Sequence, residues 1–103
     1  MLTGKQRRFL RSLAHHLSAV VHIGKDGLTG AVIAATDGAL AHHELIKIKI
    51  GEGAGVDRHG REDVAAALAE ATTAEIAGTV GHNILLYRRG VAPKIQLPAN
   101  RTK

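Results

Sequence analysis

Chemistry-bearing side chains are plentiful in this chain, but one short stretch spaces them for a purpose: Gly24-Lys25-Asp26-Gly27. It joins a β-branched segment, Ala19-Val20-Val21-His22-Ile23, to a long Ala-rich segment with helical spacing from Leu28 to His43. A Gly-x-x-Gly turn between a strand and a helix tolerates positive φ and lets another backbone come close. It also leaves the first helix N–H groups pointing outward, at the positive end of the helix dipole. Such a turn suits a phosphate oxygen, and Lys25 adds a full charge at its tip. The plain alternative is a turn that binds nothing, because short glycine motifs are common.

The other reactive groups do not assemble on paper. Seven histidines invite a metal or catalytic reading. His15-His16 and His42-His43 are adjacent pairs, however, and neighbours on a helix point about 100° apart, so neither pair chelates readily. Glu44 follows His43 without the spacing of a metalloprotease helix. His43 falls on the apolar side of its helix and reads as half-buried, while His22 and His82 read as solvated or ligand-facing. There is no Cys, which excludes disulfides and thiolate metal sites. The only serines, Ser12 and Ser18, have no base and acid arranged around them in the sequence. We expect no enzyme, no catalytic residue, no metal and no cofactor.

Charge is segregated along the chain. Lys5, Arg7, Arg8 and Arg11 form an acid-free block near the start, and Arg88, Arg89, Lys94, Arg101 and Lys103 form another at the end. The middle keeps five bases against all nine acids and is net negative, although the whole chain carries +5. If the two ends meet in the fold, they present a basic face suited to a polyanion; otherwise they are two solvated ends. With aromatics at 2%, only Phe9 and Tyr87, base-stacking platforms are excluded and the core must be aliphatic. No apolar run is long enough to span a membrane and the start does not read as a signal peptide, so a soluble, cytoplasmic protein is expected.

The elements that must position these groups follow from periodicity. Thr3 to Gln6 fits a capping box, opening a helix to about His16 with Leu2, Phe9, Leu10, Leu13 and Leu17 on one side and Arg7, Arg8 and Arg11 on the other. The second helix has Leu28, Val32, Thr36, Ala39 and Leu40 inward, with Gly30 and Gly38 weakening it and allowing close approach to a sheet. Leu45 to Ile50 alternates Ile46, Ile48 and Ile50 with Lys47 and Lys49, as in a strand with one buried face. Gly51 to Gly60 reads as a mobile loop, and a helix from about Arg61 to Thr73 carries Glu62, Asp63 and Glu70 outward. Ile76–Val80 and Asn83–Arg88 flank a tight turn, and Ile95-Gln96-Leu97 is expected to add a short edge strand. The order is α-β-α-β-α-β-β. We expect a two-layer α/β domain over residues 1–98, with a mixed four-stranded sheet, helices on one face, and a disordered tail at 99–103.

Five segments together resemble a known family. They are Leu2-Thr3-Gly4-Lys5-Gln6-Arg7 with Leu13-Ala14-His15, Gly24 to Thr29, Ala41 to Ile50, Val80 to Arg88, and Lys94-Ile95-Gln96-Leu97-Pro98. In this order and spacing they resemble the CRM domain (chloroplast RNA splicing and ribosome maturation) in its small stand-alone bacterial form, the YhbY family. The resemblance implies an RNA-binding fold like the C-terminal domain of translation initiation factor 3. It also implies association with precursors of the large ribosomal subunit, through a Gly-x-x-Gly loop that falls on Gly24, Lys25, Asp26 and Gly27. Asp26 stands where Asn is commoner in the family, Thr73 where Gly is usual, and Gly78 interrupts a normally apolar strand.

The expected RNA-binding set is therefore Gly24, Lys25, Asp26 and Gly27 with Arg7, Arg8, Arg11, Lys47, Lys49, Arg88 and Arg89, on a monomer that clamps the backbone of structured RNA. The expected partners are large-subunit rRNA or its precursor and the pre-ribosomal particle, with no membrane. The rival is a protein-binding adaptor that docks on a ribosomal protein or assembly factor through an apolar patch near Leu45 or Ile95.

Overall fold

The computed structural model describes residues 2–54 and 57–98. Its elements are α1 (Gly4–Ala14), β1 (Ala19–Ile23), α2 (Gly30–His42), β2 (Leu45–Ile50), a 3-10 turn (Glu52–Ala54), α3 (Arg58–Thr72), β3 (Glu75–Val80) and β4 (Asn83–Tyr87). The strands form one mixed sheet in the order β1-β2-β4-β3, with β1 parallel to β2 and β4 antiparallel to both its neighbours. Among the described residues, no helix is long and apolar enough to cross a membrane.

Helix starts follow their caps. Thr3 and Gln6 close a reciprocal capping box on α1, with Gln6 N donating to Thr3 Oγ1 at 3.1 Å and Thr3 N donating to Gln6 Oε1 at 3.0 Å. Thr29 caps α2 by accepting from Val32 N. Asp57 caps α3 by accepting from Gly60 N, which moves that helix's start to Arg58, earlier than the expected Arg61, and shortens the preceding loop. Residues 55 and 56 of that loop, and the tail at 99–103, lie outside the described residues.

The sheet is covered on both faces, which corrects the expectation that all the helices share one. Val21, Ile23, Ile46, Ile48, Ile50, Ile84 and Leu86 meet Leu40 of α2 and Ala65, Leu68 and Ala69 of α3. The alternate residues Leu45, Ala77, Leu85 and Tyr87 meet Leu2, Leu10 and Ala14 on the α1 side. The reason lies in β4, where Ile84, Leu85, Leu86 and Tyr87 are all buried. A central strand that is apolar on both faces needs two covers. The C-terminal segment completes the second one: Ile95 and Leu97 pack there as irregular chain, where an edge strand was expected.

Candidate nucleic-acid interface

α1 packs on β3 and β2, which leaves the β1 side of its face open. Register brings four residues into a row across that face: His22 opposite Lys49, Lys49 opposite Asn83, and Asn83 opposite Val80. In the next row Lys47 lies opposite Ala19 and Leu85, and Leu85 opposite Gly78. His22, Lys49 and Val80 are exposed, while Lys47 and Asn83 are half-buried. From α1, Arg11 and His15 reach the same place and line a shallow depression with Lys47, Val80 and Asn83.

Three loops converge where β1 and β2 end. The Gly24–Gly27 turn closes with Gly27 N donating to the Gly24 carbonyl at 3.0 Å, and Gly27 takes φ 69°, where a side chain would be strained. Gly51 N donates to the Ile23 carbonyl, and Gly53 lies so close to Lys25 that a Cβ there would sit 3.8 Å from the Lys25 Cβ and N. Ile50 N donates to the His82 carbonyl, which ties the Gly81-His82 turn to the same end. Lys25 and Asp26 stand exposed at the tip. The helix does not begin at this turn as expected. Thr29 caps α2 two residues beyond Gly27, so the turn and the helix N-terminus are separate sources of amide donors.

The remaining predicted residues divide. Arg8 is exposed and lies three residues before Arg11, on the same side of α1. Arg7 is exposed, but its Nη1 donates back to the Leu2 carbonyl at 3.0 Å. Arg88 and Arg89 are not in this group at all. β4 runs from Asn83, beside Lys49, to Tyr87, beside Leu45, so the residues after it sit roughly 15 Å from the loop end. There Arg88 Nη1 donates to Asp37 Oδ1 at 2.7 Å and to the Thr72 carbonyl at 2.8 Å, and its Nη2 donates to the Asp37 carbonyl. This arginine clamps α2 to the last turn of α3, on the far side of the sheet from Arg11. Arg89 is exposed beside a pocket with Gln6 and Tyr87.

The sequence profile of the CRS1/YhbY (CRM) domain matches residues 2–88. The chain belongs to the CRM family. It is 46% identical over 97 residues to a Haemophilus influenzae protein named "RNA-binding protein", covering 94% of this chain and 95% of the relative. It is 40% identical over 99 residues to the Bacillus subtilis protein YqeI, named a probable RNA-binding protein, covering 95% and 100% of the two chains. In three dimensions this CRM domain is similar to the solution structure of a hypothetical Staphylococcus aureus protein, described as a candidate RNA-binding protein. That likeness has a TM-score of 0.82 at 37% identity and covers 95% of this chain and all of the other.

Sequence reasoning missed what Glu44 does. Its buried carboxylate accepts from Gly90 N, Lys94 N and Ile95 N at 2.7–2.8 Å and so folds the C-terminal segment onto the domain. Burial pushes this carboxyl up, but the amides of Gly90, Ile95 and Lys94, with Arg89 nearby, outweigh it and hold the group below its ordinary value. Burial, then the Glu44 charge, raises the Tyr87 phenol. The only sequence signal was a lone acid just before a strand. His43, expected half-buried, is the exposed C-cap of α2. Among the described residues, no three His, Asp or Glu side chains are grouped to hold a metal ion.

Proposed function

We propose that this CRM domain binds structured RNA through the phosphate backbone, and that its target is large-subunit ribosomal RNA or its precursor during ribosome assembly in the cytoplasm. The observation that carries this reading is the meeting of the Gly24–Gly27 turn, Lys25, Lys47, Lys49 and Arg11 around one uncovered part of the sheet. Among the described residues none of these cations is drawn into an ion pair, whereas Arg88 is. The relatives' names point the same way. Tyr87 is buried and Phe9 is half-buried, so bases find no aromatic platform on this face. Recognition therefore rests on phosphate positions and RNA shape. The acids Glu62, Asp63 and Glu70 are exposed on α3, across the sheet, where they repel a polyanion and orient it toward the α1 side.

The test is binding of the purified domain to large-subunit rRNA fragments across a salt series. Neutralising about five phosphates gives a slope of log K against log salt near −3 to −4. A slope near zero rejects the electrostatic reading. A second reading, protein docking on a ribosomal protein or assembly factor, draws on a groove of about 570 Å³ lined by Leu13, Leu17, Leu45, Val91 and Ile95 among others. It takes the lead if the domain binds no RNA at moderate salt.

A further inference from the structure

We propose that Gly78 is a positioning residue for Arg11. The inference rests on the RNA-binding reading above. β3 carries a register shift: Ile76 faces Leu86 and Gly78 faces Leu85, so Ala77 is an extra residue on β3 with no counterpart on β4. The bulge lets Ala77 bury itself completely on the α1 side while Gly78, paired with Leu85, also faces α1. A side chain is thus missing where a helix lies directly overhead. Arg11 fills the gap. A Cβ built on Gly78 would meet the Arg11 Cδ at 2.9 Å and its Cγ at 3.2 Å. The methylene stem of Arg11 therefore lies across bare β3 backbone, a packing that only glycine allows at this distance.

This resting place gives the arginine a direction. From the trough over Gly78 it lines the depression that also contains Lys47, Val80 and Asn83. A long side chain on an exposed helix face would otherwise sample many rotamers, and ordering it on binding opposes affinity. The glycine and the bulge remove part of that cost in advance. The interruption of the strand at Gly78 is thereby tied to the positive surface.

The experiment is a double-mutant cycle with Gly78→Ala and Arg11→Ala, read as rRNA-fragment affinity at several salt concentrations. The added methyl displaces Arg11, so Gly78→Ala alone should weaken binding roughly three- to tenfold and reduce the salt slope by about one, as Arg11→Ala does. On the Arg11→Ala background, Gly78→Ala should then have no further effect. A change in strand stability alone would not move the salt slope. Equal losses in both backgrounds, or wild-type affinity for Gly78→Ala when Arg11→Ala is weak, overturn the proposal. Nuclear Overhauser contacts between the Gly78 Hα protons and the Arg11 methylenes in the free wild-type domain test the geometry without RNA. Their absence overturns the proposal whether or not RNA binds. Their presence in a domain that binds no RNA upholds the packing and rejects the function assigned to it.

Discussion

Charged side chains at the two ends of this sheet differ in what they already hold, although Arg89 is exposed at the Tyr87 end. At the Tyr87 end, Arg88 and Glu44 spend their hydrogen-bonding capacity inward, on the carbonyls of Thr72 and Asp37 and on the amides of Gly90, Lys94 and Ile95. At the Gly24 end, Lys25 and Lys49 are exposed, and Lys47 and Arg11 border a shallow depression. A cation whose donors are already satisfied by its own fold has little left for a ligand, and moving it would leave backbone acceptors unpaired. Charge in a sequence therefore does not mark a binding surface until it is known what the charge already holds.

The sharpest way to break this contrast is to neutralise the open end. With Lys25, Lys47 and Lys49 all changed to Ala, RNA affinity should fall about a hundredfold at moderate salt and the slope should become shallower by two to three, roughly one per lost phosphate contact. The thermal midpoint should change little, because none of the three is ion-paired among the described residues. Loss of less than threefold would mean that RNA binds elsewhere.

The closed end should respond in the other currency. Arg88→Ala should destabilise the fold by about 2 kcal/mol, as charge-assisted bonds to backbone carbonyls are lost. RNA affinity of the folded fraction should stay within about twofold. Asp37→Ala should cost under about 1 kcal/mol, because Asp37 is 61% exposed and a pair open to water contributes little. Urea unfolding of both variants checks the ranking, and an Asp37 effect as large as that of Arg88 would contradict it.

Glu44 sharpens the comparison through pH. Its folded value is depressed, so its contribution is fully present above the ordinary carboxylate range and is lost as pH falls through the lowered folded value. Glu44→Gln should therefore lower stability by about 1–2 kcal/mol at neutral pH. The gap from wild type should close on acidification. Amide exchange at Lys94 and Ile95 should speed up in the variant, because their acceptor is weakened. A gap that persists unchanged in acid would show that the carboxylate charge is not what holds the segment.

Much of the fold was legible because local periodicity and caps agreed with the tertiary arrangement. The Ile46, Ile48, Ile50 alternation and the Thr3 capping box appear where the spacing puts them. What failed was non-local. The side of the sheet on which α1 packs depends on β4, whose continuous run Ile84-Leu85-Leu86-Tyr87 marks burial on two faces. That run marks two-sided burial directly, whereas the alternation in β2, taken alone, implies one open face. The different settings of Arg88 and Arg11 were beyond any local signal. They depend on partners 51 residues away in Asp37 and on a glycine of β3. Gly30 and Gly38 gave a false lead of another kind: nothing lies within 4 Å of either missing Cβ, so neither serves a close helix–sheet approach.

Thr73 offers a small effect and a control, because its side chain lies in neither the open surface nor the Glu44 and Arg88 contacts. It ends α3 at φ 53° and ψ 44°, the left-handed conformation in which its N–H reaches back to the Ala69 and Glu70 carbonyls. A β-branched residue is crowded there, where helices usually end in glycine. The strain is about 1–2 kcal/mol, and glycine's extra freedom in the unfolded chain returns part of it. Thr73→Gly should thus stabilise the domain by about 1 kcal/mol and leave RNA affinity and its salt slope unchanged. The side chain is exposed, so no core contact is lost to confuse the sign. A destabilised Thr73→Gly variant would mean that α3 does not end in this conformation. The Thr72 carbonyl that Arg88 grips would then be held by something other than a tight left-handed cap.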